Sequence, residues 1–106
     1  MNKTDETTRQ IIEYLQRSQH YARRHNQIRV PGRGFPKKDK GVGDIVAYLR
    51  PNGRALEIEV KTGKDRISPE QYVQGMKLRR VGAWYLVVHD FEDFLKQFEN
   101  IQKMSS

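Results

Sequence analysis

From Asp44 to Lys61 the polar and apolar residues follow a two-residue rhythm. Leu56, Ile58 and Val60 take alternate positions, with Glu57, Glu59 and Lys61 between them. An extended strand turns one set to each side. Upstream, Asp44-Ile-Val-Ala-Tyr-Leu-Arg50 is a second strand-like run, and Pro51-Asn52-Gly53 separates the two. Asn-Gly is the preferred pair of a two-residue type I′ turn, so the segment predicts a β-hairpin. With Asn52 and Gly53 as the turn, Pro51 faces Arg54, Asp44 sits opposite Lys61, and Glu59 is the diagonal neighbour of Asp44. Opposite residues share a face and diagonal ones lie ~7–8 Å apart, so Asp44, Glu59 and Lys61 should project together. A one-residue change in loop length would reverse that parity.

The rest of the chain carries helical periods and one buried strand. Ile11, Ile12 and Leu15, with Thr8 and Gln19 at the edges, predict a helix from about Thr4 to Arg23, capped by Thr4 or Asp5. Asn26 to Gly43 holds Pro31, Pro36 and four glycines among basic residues, the composition of a long loop or irregular strand. Ser68-Pro69-Glu70-Gln71 opens a second helix: Ser68 as N-cap, Pro69 at N1, Gln71 completing a capping box. It should run to about Arg80 and stop at Gly82. Ala83-Trp-Tyr-Leu-Val-Val88 is an unbroken apolar run, the pattern of a strand covered on both faces. Phe94, Leu95, Phe98 and Ile101 make Phe91 to Met104 a last helix. The order helix, strand, strand, helix, strand, helix predicts an α/β fold, a mixed β-sheet with an antiparallel hairpin and a β-α-β unit flanked by helices.

Length and composition narrow the possibilities. With 106 residues the chain is expected to be one domain, 1–106. No run of 18 apolar residues is present to span a membrane. Without cysteine there is no disulfide framework, and Met1–Glu6 lacks the apolar core of a secretory signal, so a cytoplasmic protein is expected. The net charge is +7. Between Gln16 and Gly43 stand Arg17, Arg23, Arg24, Arg29, Arg33, Lys37, Lys38 and Lys40 against Asp39 alone, so this one segment accounts for the whole surplus. Such a stretch attracts a polyanion by counterion release, and it reads equally as a solvated face. Arg29, Arg33, Lys37, Lys38 and Lys40 directly precede Asp44 and are the phosphate-contact candidates. Tyr21, Phe35 and Tyr72 could stack on unpaired bases or serve packing. His20 and His25 have poor metal spacing and read as phosphate contacts or surface; His89 reads as structural.

Two carboxylates and an amine on one sheet face suit phosphodiester chemistry. Mg²⁺ and Mn²⁺ take hard oxygen ligands, commonly one or two carboxylates completed by water and phosphate. Gly41-Val-Gly-Asp44, Glu59-Val-Lys61 and Ser68-Pro-Glu-Gln71, in this order and spacing, resemble the VRR-NUC family within the PD-(D/E)XK nuclease superfamily. The similarity covers roughly residues 6 to 90. It implies a restriction-endonuclease-like fold and a Mg²⁺- or Mn²⁺-dependent DNA endonuclease. Asp44 and Glu59 would be metal ligands with the Val60 backbone carbonyl, and Lys61 the catalytic lysine; Glu6 and Gln71 match further family positions. Stand-alone members, often phage-borne and so at work in a host cytoplasm, are of similar size and associated with homodimers acting on branched, four-way-junction DNA. The proline that the superfamily places before the aspartate is Gly43 here, which should leave that loop more flexible. On helical geometry Glu6 aligns with Gln10, Glu13 and Arg17, opposite the apolar stripe, as a solvated residue would.

The leading reading is therefore a divalent-metal endonuclease on branched or duplex DNA. A DNA-binding module that kept the fold without cutting accounts for the basic segment equally well. A surface-charged structural protein is the third option. Phe91, Phe94, Phe98 and Ile101 are candidates for a homodimer surface, and core packing accounts for them too.

Overall fold

A computed structural model describes residues 2–25 and 43–105. The loop expected from Asn26 falls outside the described residues up to position 42, and with it Phe35 and the phosphate-contact candidates Arg29, Arg33, Lys37, Lys38 and Lys40. Three helices and four strands follow the order α1 (Lys3–Arg17), β1 (Tyr21–Arg24), β2 (Ile45–Leu49), β3 (Arg54–Val60), α2 (Pro69–Arg80), β4 (Trp84–Val88) and α3 (Phe91–Ser105). The strands form one sheet in the order β1-β2-β3-β4. The first two pairings are antiparallel, and β3 and β4 run parallel across α2. This is the mixed α/β sheet with hairpin and β-α-β unit that the sequence predicts.

Two expectations need correction at the N-terminal end. The cap of α1 is Asn2, whose side chain accepts the Asp5 N–H at 2.8 Å, not Thr4 or Asp5. The helix also ends at Arg17, six residues early, where Gln19 takes a positive φ of 67°. The residues beyond carry only Ala22 to bury, and as a strand Ala22 reaches the core opposite Ala47. Pairing with β2 satisfies their backbone groups better than an apolar-poor helical turn would.

The hairpin register also differs from expectation. Leu49 pairs with Arg54 and Ile45 with Ile58, so the loop is four residues, Arg50 to Gly53. Pro51 has no N–H to offer the ladder. The loop closes instead through the Gly53 N–H, which donates to the Leu49 carbonyl at 2.7 Å with Gly53 at φ 77°. The slip is two positions, so every side chain keeps its face. Continued one step past the ladder, this register would set Asp44 opposite Glu59 rather than Lys61.

The two faces of the sheet differ in cover. On one, Ala22, Ile45, Ala47, Leu49, Leu56, Ile58, Val60, Leu86 and Val88 pack with Ile11 and Leu15 of α1 and Phe94, Phe98 and Ile101 of α3. Phe94 and Phe98 stack at 5.3 Å, and Tyr14 meets both edge-on. Buried there, Phe94, Phe98 and Ile101 serve the core and are not available as a surface for a second copy. The other face carries Val46, Tyr48, Glu57, Glu59 and Tyr85, and α2 packs on its β4 side, leaving Tyr48 exposed. The capping box at Ser68 and Gln71 starts α2 as predicted, and Gly82, at φ 91°, follows its end. Gly75 brings α2 close: a Cβ there would fall 2.9 Å from the Tyr85 ring.

Candidate active site

Asp44 stands just before β2, and Glu59 and Lys61 at the far end of β3, so strand pairing brings them to one end of the sheet. Beyond the ladder three contacts fix the aspartate. Its carbonyl accepts the His25 N–H at 2.8 Å, continuing the pairing towards β1. Its Oδ2 accepts the Val60 N–H at 2.9 Å. Before it, the Gly43 N–H donates to Glu57 Oε1 at 3.0 Å. Gly43 is buried, and a Cβ on it would lie 2.8 Å from the Ile58 carbonyl oxygen and 2.9 Å from its nitrogen. The expected loosening at Gly43 is thus not what the structure shows. Glycine lets the chain press against β3 and supplies an N–H that proline lacks.

Glu59 is 4% exposed. Its Oε1 lies 3.6 Å from the Lys61 Nζ, and Oε2 is shielded from solvent. Burying a carboxylate this deeply is costly unless positive charge accompanies it. Tyr85, facing Glu57 across the parallel ladder, registers the local charge. Burial pushes its phenol well above the usual range, and the Glu59, Glu57 and Asp44 carboxylates push it further in that order. Three carboxylates therefore lie near enough to act on Tyr85, and the Lys61 amine pairs with one of them, Glu59. Val60 donates its N–H towards Asp44, whereas Lys61 donates to the Val88 carbonyl at 2.8 Å. A residue's N–H and C=O leave an extended strand on the same edge, so the Val60 carbonyl also points to the Asp44 side. Hard oxygens beneath excess negative charge fit a small divalent cation. Among the described residues no three His, Asp or Glu side chains form a closed cage, so water and phosphate would complete the coordination.

The remaining candidates separate. Glu6 is exposed and borders a depression with Lys3, Gln10, Asp90 and Glu92, whereas Asp44 borders one with Thr4, Asp5, Thr8, Arg24 and His25. The structure does not bring Glu6 to the Asp44 cluster. Gln71 spends its Oε1 on the Ser68 N–H at 2.8 Å, in the cap. The helix glutamine that reaches the acidic face is Gln74, whose Nε2 donates to both Glu57 oxygens at 3.3 Å. The sequence reading set Glu57 on the face of Glu59 and Lys61 without giving it a role, and it missed Gln74 and Tyr85 as site residues. The strand alternation is the signal that points to Glu57, which has the same parity as Glu59. His20 accepts the Arg50 N–H on Nδ1 at 2.9 Å at the hairpin end, and His89 Nδ1 bonds the Lys61 carbonyl at 2.9 Å. Tyr21 and Tyr48 form an exposed cross-strand ring pair 5.6 Å apart, and Tyr72 is exposed on α2.

The architecture is a mixed sheet whose hairpin and β-α-β unit carry acidic residues at one end. Compared with known proteins, it is similar to a solved structure described as a VRR_NUC domain, with a TM-score of 0.68 and 23% identity over 93% of this chain and 97% of that one. No protein-family model matches the chain, and no curated protein does. The likeness establishes the fold, the one that the motif resemblance implies.

Proposed function

We propose that this chain is a Mg²⁺- or Mn²⁺-dependent endonuclease that hydrolyses phosphodiester bonds of DNA. One observation supports the reading: at one end of the sheet the Asp44 carboxylate is held on the Val60 N–H, between Glu59 and Lys61, which pair at 3.6 Å. In this reading Asp44 and Glu59, with the Val60 carbonyl, hold the cation. The Val60 N–H fixes the Asp44 carboxylate, and burial limits the positions open to Glu59. The bound ion supplies Lewis acidity at the phosphate and a more acidic attacking water. Lys61, steered by Glu59, presents positive charge where negative charge develops on phosphorus. The basic residues preceding Asp44 hold the backbone by counterion release.

A homodimer acting on branched DNA in the cytoplasm is the finer form of the proposal. A single site cuts one strand, so symmetric cleavage of a junction calls for two sites related by a two-fold axis. This part rests on the motif resemblance, and sedimentation at working concentration with cleavage of linear, flapped and four-way substrates tests it. Among the described residues no helix is long and apolar enough to cross a membrane.

The decisive variants are Glu59→Ala and Lys61→Ala. Both should lose Mg²⁺-dependent cleavage while still binding DNA. Binding without cleavage by the unaltered protein in Mg²⁺ and Mn²⁺ would instead identify a non-cutting DNA-binding module. Full cleavage by both variants would remove these residues from the reaction.

A further inference from the structure

We infer that Glu57 is a positioning residue, a clamp that sets the Asp44 carboxylate for the cation without binding the cation itself. The inference rests on the nuclease reading for its consequence but on separate contacts for its geometry. The β2–β3 ladder ends at Ile45 and Ile58, so Gly43 and Asp44 lie beyond it. On the β3 side Glu57 accepts the Gly43 N–H and Asp44 accepts the Val60 N–H. In both a backbone amide donates to a carboxylate, and charge-assisted bonds of this kind are about twice as strong as neutral ones.

Glu57 shares the face of Glu59 two residues away and would be a natural third ligand. Its partners say otherwise. Oε1 takes the Gly43 N–H at 3.0 Å and the Gln74 amide at 3.3 Å, and Oε2 takes the Gln74 amide at 3.3 Å. Both oxygens are thus engaged by donors from two other elements. Gln74 comes from α2, which Gly75 allows to approach the sheet at Tyr85. The clamp therefore ties three pieces together: the helix over the acidic face, the central strand, and the segment that presents Asp44. Because Gly43 has no side chain and sits against the Ile58 backbone, the Gly43 N–H is a close and direct handle on the next residue.

A ligand and a clamp differ in what they require of Glu57. A ligand needs its charge, whereas a clamp needs an acceptor in place. Glu57→Gln keeps an oxygen for the Gly43 N–H, and the Gln74 amide can turn over to present its own oxygen. Glu57→Ala removes the acceptor. Two readouts apply to the full chain: Mn²⁺ affinity by calorimetry, and exchange of the Gly43 amide hydrogen followed by NMR without metal. Glu57→Ala should weaken Mn²⁺ binding about 10- to 100-fold, the range for groups that orient metal ligands, and should speed Gly43 exchange. Glu57→Gln should stay near wild type in both. Should Glu57→Ala fail to fold, Gln74→Ala carries the test, with weaker Mn²⁺ binding and faster Gly43 exchange expected.

Equal loss of Mn²⁺ binding in Glu57→Gln and Glu57→Ala would overturn the inference in favour of direct ligation. Unchanged affinity and exchange in Glu57→Ala, or in Gln74→Ala where that variant stands in, would overturn it as well. If instead the unaltered chain neither takes up Mn²⁺ nor cleaves DNA, the nuclease reading fails, while Gly43 exchange still reports on the clamp.

Discussion

Replacing Gly43 by alanine adds one methyl group where the fold leaves no space. The new Cβ would lie 2.8, 2.9 and 3.0 Å from the oxygen, nitrogen and carbonyl carbon of Ile58. All three are backbone atoms of a central strand whose side chain is fully buried, so no flexible tip can yield. The relief must come from Gly43 moving outward, which stretches the bond to Glu57 and carries Asp44 with it. Overpacking of this kind costs about 1–3 kcal/mol. For a chain of this size each kcal/mol lowers the melting temperature by roughly 4–8 °C, so a drop of about 4–24 °C is expected. Thermal unfolding by circular dichroism measures it, and Mn²⁺ calorimetry on the folded variant should show weaker binding. Gly53→Ala is the control: that glycine has φ 77° with nothing within 4 Å, so its cost is conformational, about 1–2 kcal/mol, and lies far from Asp44. If Gly43→Ala melts within about a degree of wild type and binds Mn²⁺ equally well, the tight seating of the aspartate segment is refuted.

Other consequences are open to direct measurement. Burial, and next Arg50, holds the His20 imidazole below its usual 6.5. Because the folded state binds that proton less readily than the unfolded chain, His20 contributes stability that is complete above about pH 6.5 and is lost as pH falls from there through the folded value. Melting temperatures across that window should fall less steeply in His20→Gln, and equal slopes would contradict this. Phe98→Ala empties the middle of the α1–α3 core and should cost about 3–5 kcal/mol in urea unfolding. Charge reversal at Lys37 and Lys38 should flatten the dependence of DNA affinity on salt, and an unchanged slope would exclude those residues from phosphate contact.

Several elements were legible because their signals are local. The capping box at Ser68 and Gln71, the stop at Gly82 and the alternation of β3 depend on residues near each other in sequence, and the structure has them as read. Strand β1 was not legible: Tyr-Ala-Arg-Arg becomes a strand through pairing with β2, a contact between distant segments. The hairpin lost its register because Asn52-Gly53 signals a two-residue turn, while Pro51 leaves the ladder and extends the loop to four. Even so, a two-residue slip conserves parity, so Glu57 and Glu59 keep the face that the alternation assigns them. The roles of Glu57 and Gln74 escaped notice because nothing local separates a carboxylate that holds an amide from one exposed to water. Their roles appear only when α2 lies over β3.

Mn²⁺ titration of the wild-type chain beside Asp44→Ala and Glu59→Ala, followed by calorimetry, bears most directly on the proposed metal centre. The wild type should bind, and either alanine should abolish or sharply weaken the binding while leaving a cooperative melting transition. Unchanged Mn²⁺ binding in both variants, or no binding by the wild type with or without DNA, would show that these carboxylates do not form a metal centre.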